Sequence, residues 1–118
     1  MLKKYHQQKG FPKNAVLPQG KYCLTYSQHA KKEFANDKYN EPNFILPPTI
    51  DIHPKAIFEI EIIKDSIKPI KITCRIRFTE ELDLSLAIDW QDKYVKTVWF
   101  NHKDDRHDTL DLGKYHRP

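Results

Sequence analysis

Residues 70–78 read IKITCRIRF, and their alternation is strict. Ile70, Ile72, Cys74, Ile76 and Phe78 hold one parity, while Lys71, Thr73, Arg75 and Arg77 hold the other. Successive strand side chains point to opposite faces, so this pattern specifies a β-strand with one apolar and one polar face. The same reading extends outward. Residues 57–63 (IFEIEII) set Phe58, Ile60 and Ile62 against Glu59 and Glu61, and residues 82–90 place Leu82, Leu84, Leu86, Ile88 and Trp90 on one side. Gln91, Asp92 and Lys93 read as a hairpin turn into residues 94–100, where β-branched and aromatic side chains dominate. Four such segments joined by short connections predict an antiparallel meander. In the last of them Tyr94, Val98 and Phe100 share a parity. With these toward the core, Thr97 and Trp99 join Arg75 and Arg77 on the polar face.

An apolar sheet face must be covered. Ser27 is suited to cap a helix over residues 28–39 (QHAKKEFANDKY), in which Ala30 and Phe34 lie four apart and Lys31, Lys32 and Lys38 fall elsewhere. The expected fold is therefore α+β: a single domain with a twisted antiparallel sheet of four to five strands and one N-terminal helix packed on its apolar face. Gly10, Pro12, Pro18 and Gly20 punctuate residues 1–20, which read as a loosely structured basic arm tied down by Phe11, Val16 and Leu17. Residues 21–118 read as the domain proper. They open with a short strand over 21–26 (KYCLTY) and include an extended loop at 40–48, set by Pro42, Pro47 and Pro48, and a short strand over 49–52.

With 118 residues, 39% of them hydrophobic and 31% charged, the chain can bury a core and does not have a disordered composition. Its apolar runs fall short of the roughly 20 residues of a membrane span, and no apolar stretch follows the basic start as in a signal peptide. The cytoplasm is the expected location, with no membrane partner. Cys23 and Cys74 each sit in an apolar alternation and read as buried free thiols, with a disulfide between them as the alternative, and a paired-cysteine metal site is excluded. The net charge of +4 is uneven, because residues 1–40 hold eight lysines against only Glu33 and Asp37. Such an excess points to an anionic partner, nucleic acid being the commonest, unless it is only a solvated lysine-rich surface.

Several residues carry candidate chemistry. Arg75 and Arg77, two apart on a strand, present guanidinium groups about 6–7 Å apart, a spacing that suits a phosphate. The competing reading pairs them across strands with Glu59, Glu61, Asp83 or Asp89. His29 falls in the first helical turn, where an imidazole and backbone N–H groups can share an anion. After Phe100 the chain turns polar, with His102, Asp104, Asp105, Arg106, His107, Asp108 and Thr109 in close succession. His107 and Thr109 can reach one phosphoryl group, the first moving a proton and the second donating a hydrogen bond. Trp99, Tyr115 and Tyr94 are candidates to stack on bases beside the basic surface. The run from His102 to His107, H-x-D-D-x-H, also holds residue types that ligate Mg²⁺ or Mn²⁺, which gives a metal-dependent nuclease as an alternative. Asp105 is expected to pair with a neighbouring cation and Asp108 to be exposed.

The order of these elements resembles the group of small metal-independent ribonucleases and toxins comprising barnase, EndoU, colicins E5 and D, and RelE (the BECR fold). The likeness rests on a helix bearing a His and lysines, a meander with Arg on a central strand, a V-x-T-V-W strand and a closing D-D-x-H-x-T-L-D-x-x-x-Y tail. It spans residues 21–115. It implies a RelE-like hydrolase, a toxin or phage-borne effector, that cleaves RNA by attack of the ribose 2′-hydroxyl on the adjacent phosphate, without metal or other cofactor. The matching candidates are His29, Arg75, Thr97, His107, Thr109 and Tyr115 for catalysis, with Lys31, Lys32, Lys71, Arg77, Trp99 and Arg106 contacting RNA. A neutralising antitoxin or a host protein would be the other partner. The reading from another class is a non-catalytic module of the same fold that binds nucleic acid or protein.

Overall fold

The computed structural model describes residues 1–105. Its strands are β1 (Leu2–His6), β2 (Gly20–Cys23), β3 (Thr25–Tyr26), β4 (Thr49–Ile52), β5 (Ile57–Ile63), β6 (Pro69–Arg77), β7 (Leu82–Asp89) and β8 (Tyr94–His102); the helix α1 (Gln28–Asn36) follows β3. The expected meander is present: β5, β6, β7 and β8 are consecutive antiparallel neighbours. The sheet is wider than expected, with six strands in the order β1-β5-β6-β7-β8-β3, because the N-terminal part of the chain adds one strand to each edge. β2 and β4 form a separate antiparallel pair.

Two features of the N-terminal part correct the sequence reading. The stretch expected to be a loose arm begins with β1, which pairs along β5 from Leu2 opposite Ile63 to His6 opposite Glu59. Tyr5 packs against the core, and Lys4 lies 3.7 and 3.8 Å from Glu59 and Glu61. Five residues bury little by themselves, so this strand exists through a partner more than fifty residues away. The arm is further tied by the Val16 N–H bond to Ile67 and by Phe11, Ala15 and Leu17 packed on the core. Second, residues 21–26 are not one strand. The chain breaks at buried Leu24, whose N–H bonds to Pro48; β2 pairs with β4, and β3 runs parallel to β8.

One face of the large sheet carries the core: Ile60, Ile62, Ile72, Cys74, Leu84, Leu86, Ile88, Val98 and Phe100 are all buried. The cover is shared. Ile50 and Ile52 come from β4, Ala30 and Phe34 from α1, and Phe34, Phe44, Phe78 and Phe100 form an aromatic cluster with ring centroids 5.1–6.2 Å apart. The helix is thus not the sole cover that its amphipathic pattern suggested. Both cysteines are unbonded; Cys74 is buried as expected, whereas Cys23, on the short β2, is exposed. Burial pushes the Cys74 thiol up to about 12, because the low-dielectric core disfavours the thiolate. Burial first, and then Cys74, raises the Tyr26 hydroxyl, which donates to the carbonyl of Pro47 at 2.6 Å.

Three register shifts interrupt the meander; one lies between Glu61 and Ile62, and the other two override the expected alternation. Pairing shifts between Ile57 and Glu59, so the extra residue, Phe58, leaves the core face expected for it and joins Ala56 and Trp99 in a small cluster of its own. The other shift, between Ala87 and Ile88, makes Lys96 the unpaired residue on β8. Val95 therefore turns into the core while Tyr94 stays 37% exposed. Beyond the bulge Val98 and Phe100 are buried and Thr97 and Trp99 take the opposite face, as expected.

α1 also closes the sheet edge that β8 would otherwise present. Ser27 caps the helix by accepting from the Ala30 N–H, and its hydroxyl donates to the Lys96 carbonyl. Glu33 then accepts from the Val98 N–H at 3.0 Å, and Asp37, just past the helix, accepts from the Phe100 N–H at 3.3 Å. The fit is geometric: four helical residues advance about 6 Å and two strand residues about 6.6 Å. Acids four apart on the helix thus meet alternate N–H groups along the strand. Among the described residues no helix is long and apolar enough to cross a membrane.

Candidate nucleic-acid interface

The polar face of the sheet gathers Lys71, Thr73, Arg75 and Arg77 from β6, Asp83 and Ser85 from β7, and Thr97 and Trp99 from β8. Arg75 does not present itself to solvent there. It is 1% exposed beside Asp83 at 0%, and its Nε donates to the Asp83 carboxylate at 2.9 Å. Nη1 donates to the Asp105 carbonyl at 2.7 Å and Nη2 to the His102 carbonyl at 2.9 Å. This corrects the expectation that Arg75 grips a phosphate. The competing cross-strand reading holds, and the guanidinium serves instead to fix the turn into which β8 runs. A fully buried cation needs such a partner set, since desolvation costs several kcal/mol per ion. Strand parity placed Arg75 on this face but could not tell that the chain would fold back over it.

The remaining members of the expected site are distributed as follows. Arg77 is exposed and Lys71 half-buried on the polar face. Arg77 borders a groove of about 680 Å³ between β4 and the end of β6, together with Asp51, His53, Ile76 and Phe78. Thr97 sits opposite Ala87 and Trp99 opposite Ser85. Trp99 packs on the Phe58 cluster, so at least part of its ring is structural. His29, Lys31 and Lys32 lie beyond the β8 edge on α1, all exposed, with His29 Nε2 3.4 Å from Glu33. Arg106, His107, Thr109 and Tyr115 lie outside the described residues, as does Asp108. Asp105 hydrogen-bonds a sheet cation as expected, but through its backbone: its carbonyl accepts from Arg75, while its carboxylate accepts from the His102 N–H.

The fold divides the basic first third of the chain. Lys3 and Lys4 go to the β1 edge, and Lys31 and Lys32 go to α1, with Lys38 in the turn just past it, at the opposite edge. On α1 the charges are sorted. Both acids turn toward β8, which leaves Lys31, Lys32 and Lys38 in solvent, with exposed Lys96 alongside Ser27. Sequence reasoning passed over Lys38 and Lys96 as contacts, and Glu33 and Asp37 as the groups that make the helix surface basic. The signal for the latter was present, two acids four apart on the flank of the helix beside Ala30 and Phe34.

The metal reading rests partly on His107, which lies outside the described residues. His102 lies 3.4 Å from Glu81 and 3.6 Å from Asp104, but among the described residues no group of three or more His, Cys, Asp or Glu side chains is placed to hold an ion. No protein-family model, no curated protein and no solved structure matches the chain.

Proposed function

We propose that the protein is a small endoribonuclease that holds RNA on the outer surface of α1 and the adjoining part of β8. The observation that carries the reading is the sorting of charge around α1: Glu33 on the helix and Asp37 at its end are bonded to β8, and Lys31, Lys32, Lys38 and Lys96 remain outside. Four exposed cations, two on α1, one in the turn after it and one on the neighbouring β8, suit a phosphate backbone, which supplies most of the sequence-independent affinity for nucleic acid. His29 stands on the same element with one imidazole nitrogen beside Glu33. A carboxylate there orients the ring and leaves Nδ1 to exchange a proton with the ribose 2′-hydroxyl or the leaving oxygen. Thr97 on β8, with His107, Thr109 and Tyr115, would complete the hydrogen bonding around the phosphate. Arg75 acts one step back in this scheme, by fixing the His102–Asp105 turn from which the polar tail departs.

The test is cleavage of single-stranded and structured RNA in EDTA, with the ends analysed for 2′,3′-cyclic phosphate. His29→Ala should abolish cutting and retain binding, while Lys31→Glu with Lys32→Glu should weaken both. Cutting that requires added Mg²⁺ or Mn²⁺ overturns the metal-independent mechanism. The burial of Arg75 favours a second reading, a non-catalytic RNA-binding module, because the most plausible phosphate clamp in the sequence is committed elsewhere. That reading predicts that wild-type protein binds RNA salt-dependently and leaves it intact.

A further inference from the structure

The two edges of the six-stranded sheet are treated differently. The β8 edge is closed by β3, by Ser27 and by the Glu33 and Asp37 carboxylates. The β1 edge has no such cover among the described residues, and β1 is the outermost strand. Its backbone direction can be read from one bond: the Lys64 N–H donates to the Met1 carbonyl at 2.8 Å, which makes Met1 and Lys64 a hydrogen-bonded pair. By antiparallel alternation Lys3 and Tyr5 also turn their backbone groups toward β5, and Leu2, Lys4 and His6 turn theirs outward.

We propose that the outer edge of β1 is the docking site for an extended segment of another protein, which adds one strand to the sheet and carries acids facing Lys3 and Lys4 and an apolar residue opposite Leu2. Main-chain bonds to Leu2, Lys4 and His6 supply the affinity in this mode, and side-chain pockets supply the selectivity. Both kinds of selectivity are at hand. On the core side a groove of about 400 Å³ lies beside the strand, lined by Lys3, Tyr5, Pro12, Asn14, Ile62 and Lys64. At the start of the strand, Leu2 (54% exposed) and its cross-strand partner Ile63 (46%) form an apolar pair that an added strand would extend.

The charge defines the partner. Lys3 and Lys4 are exposed; Glu59 and Glu61 sit one strand inward and face Lys4, and Asp65 shares the groove with Lys3. Lysines on an edge strand deter pairing with like-charged strands, including a second copy of β1, since antiparallel pairing of two such edges sets lysines against lysines. The same lysines match an acidic strand, so the repulsion that blocks self-association also selects the partner.

The probe is the peptide Thr-Val-Glu-Glu-Val-Thr, with Thr-Val-Lys-Lys-Val-Thr as control, titrated into the full chain while backbone amides are followed by NMR and hydrogen exchange. The glutamate peptide should slow exchange at Lys4 and His6 and leave the already bonded Lys3 and Tyr5 amides unchanged. The lysine peptide should do neither. Lys3→Glu, at an exposed position, should weaken the glutamate peptide about fivefold to tenfold, the scale of a lost and reversed surface ion pair. The proposal is overturned if millimolar glutamate peptide protects neither outward amide, or if the lysine peptide binds equally. It is also overturned if those amides are protected without peptide in a sedimenting dimer, or if a short RNA protects them as the peptide should.

Discussion

Replacing Asp83 with alanine tests the account of Arg75 most directly. In the folded protein the two side chains are 1% and 0% exposed and 2.9 Å apart, and the guanidinium is also bonded to the His102 and Asp105 carbonyls. Asp83→Ala removes the counter-charge and keeps the cation in place, and an uncompensated buried charge costs about 3–5 kcal/mol. Against a typical domain stability of about 5–15 kcal/mol, this is a third or more of the total and should be plain in urea unfolding followed by circular dichroism. Asp83→Asn keeps an acceptor at the same distance and should lose less. The decisive member is Arg75→Met with Asp83→Leu. Removing both charges avoids the desolvation problem, so the double variant should recover most of what Asp83→Ala loses. What remains includes the cost of the His102 and Asp105 carbonyls without their donor, about 1–3 kcal/mol each if they stay buried and less if water reaches the turn. If Asp83→Ala unfolds within about 1 kcal/mol of wild type, the pair behaves as a surface ion pair. If the double variant is as unstable as the single one, the charge argument is wrong and packing explains the site.

Three further outcomes follow from other parts of the fold. Glu33→Ala and Asp37→Ala should each lower stability by about 1 kcal/mol and should speed hydrogen exchange at Val98 and Phe100 respectively, the amides those carboxylates accept from. Unchanged exchange at both would mean that α1 does not close the edge. Stability should fall as pH rises above 9, because the unfolded thiol of Cys74 ionises from its ordinary 9.0 while burial delays ionisation in the fold to about 12; the slope is about 1.4 kcal/mol per pH unit. Tyr26 acts in the same direction above its ordinary 10.0, so Cys74→Val should flatten the decline between 9 and 10 and reduce it above. A profile identical in Cys74→Val would contradict this assignment. Finally, Lys31→Glu with Lys32→Glu should reduce the slope of log affinity for RNA against log salt by roughly two contacts' worth, and an unchanged slope would remove α1 from the interface.

The chain by itself determined the meander and the helix, because both are written in local periodicity. Residues 70–78 alternate without a fault, residues 82–88 keep the same order, and Ser27, Ala30 and Phe34 mark a capped amphipathic helix. These patterns are read from side-chain spacing alone and survive in the fold as β6, β7 and α1. Of the candidate site, the sequence marked which residue types sit on the polar face and which on the helix surface, and it offered Asp83 among the partners of Arg75.

Tertiary structure decided the rest, and in each case the physical reason is a partner distant in sequence. Residues 2–6 carry two lysines and one anchoring aromatic, so nothing local distinguishes an edge strand from a solvated arm until β5 is alongside. Phe58 and Val95 change faces because bulges insert one residue, and a bulge is set by the register between two strands rather than by either alone. Glu33 and Asp37 read as ordinary helix acids until β8 brings its unpaired amides within 3.3 Å. Arg75 is the clearest case. Parity put it on the polar face, where an arginine is ordinarily solvated, but there it meets the buried Asp83 carboxylate and the His102 and Asp105 carbonyls, which make it a clamp. Side-chain spacing reports which way a residue points, whereas what it meets there depends on long-range packing.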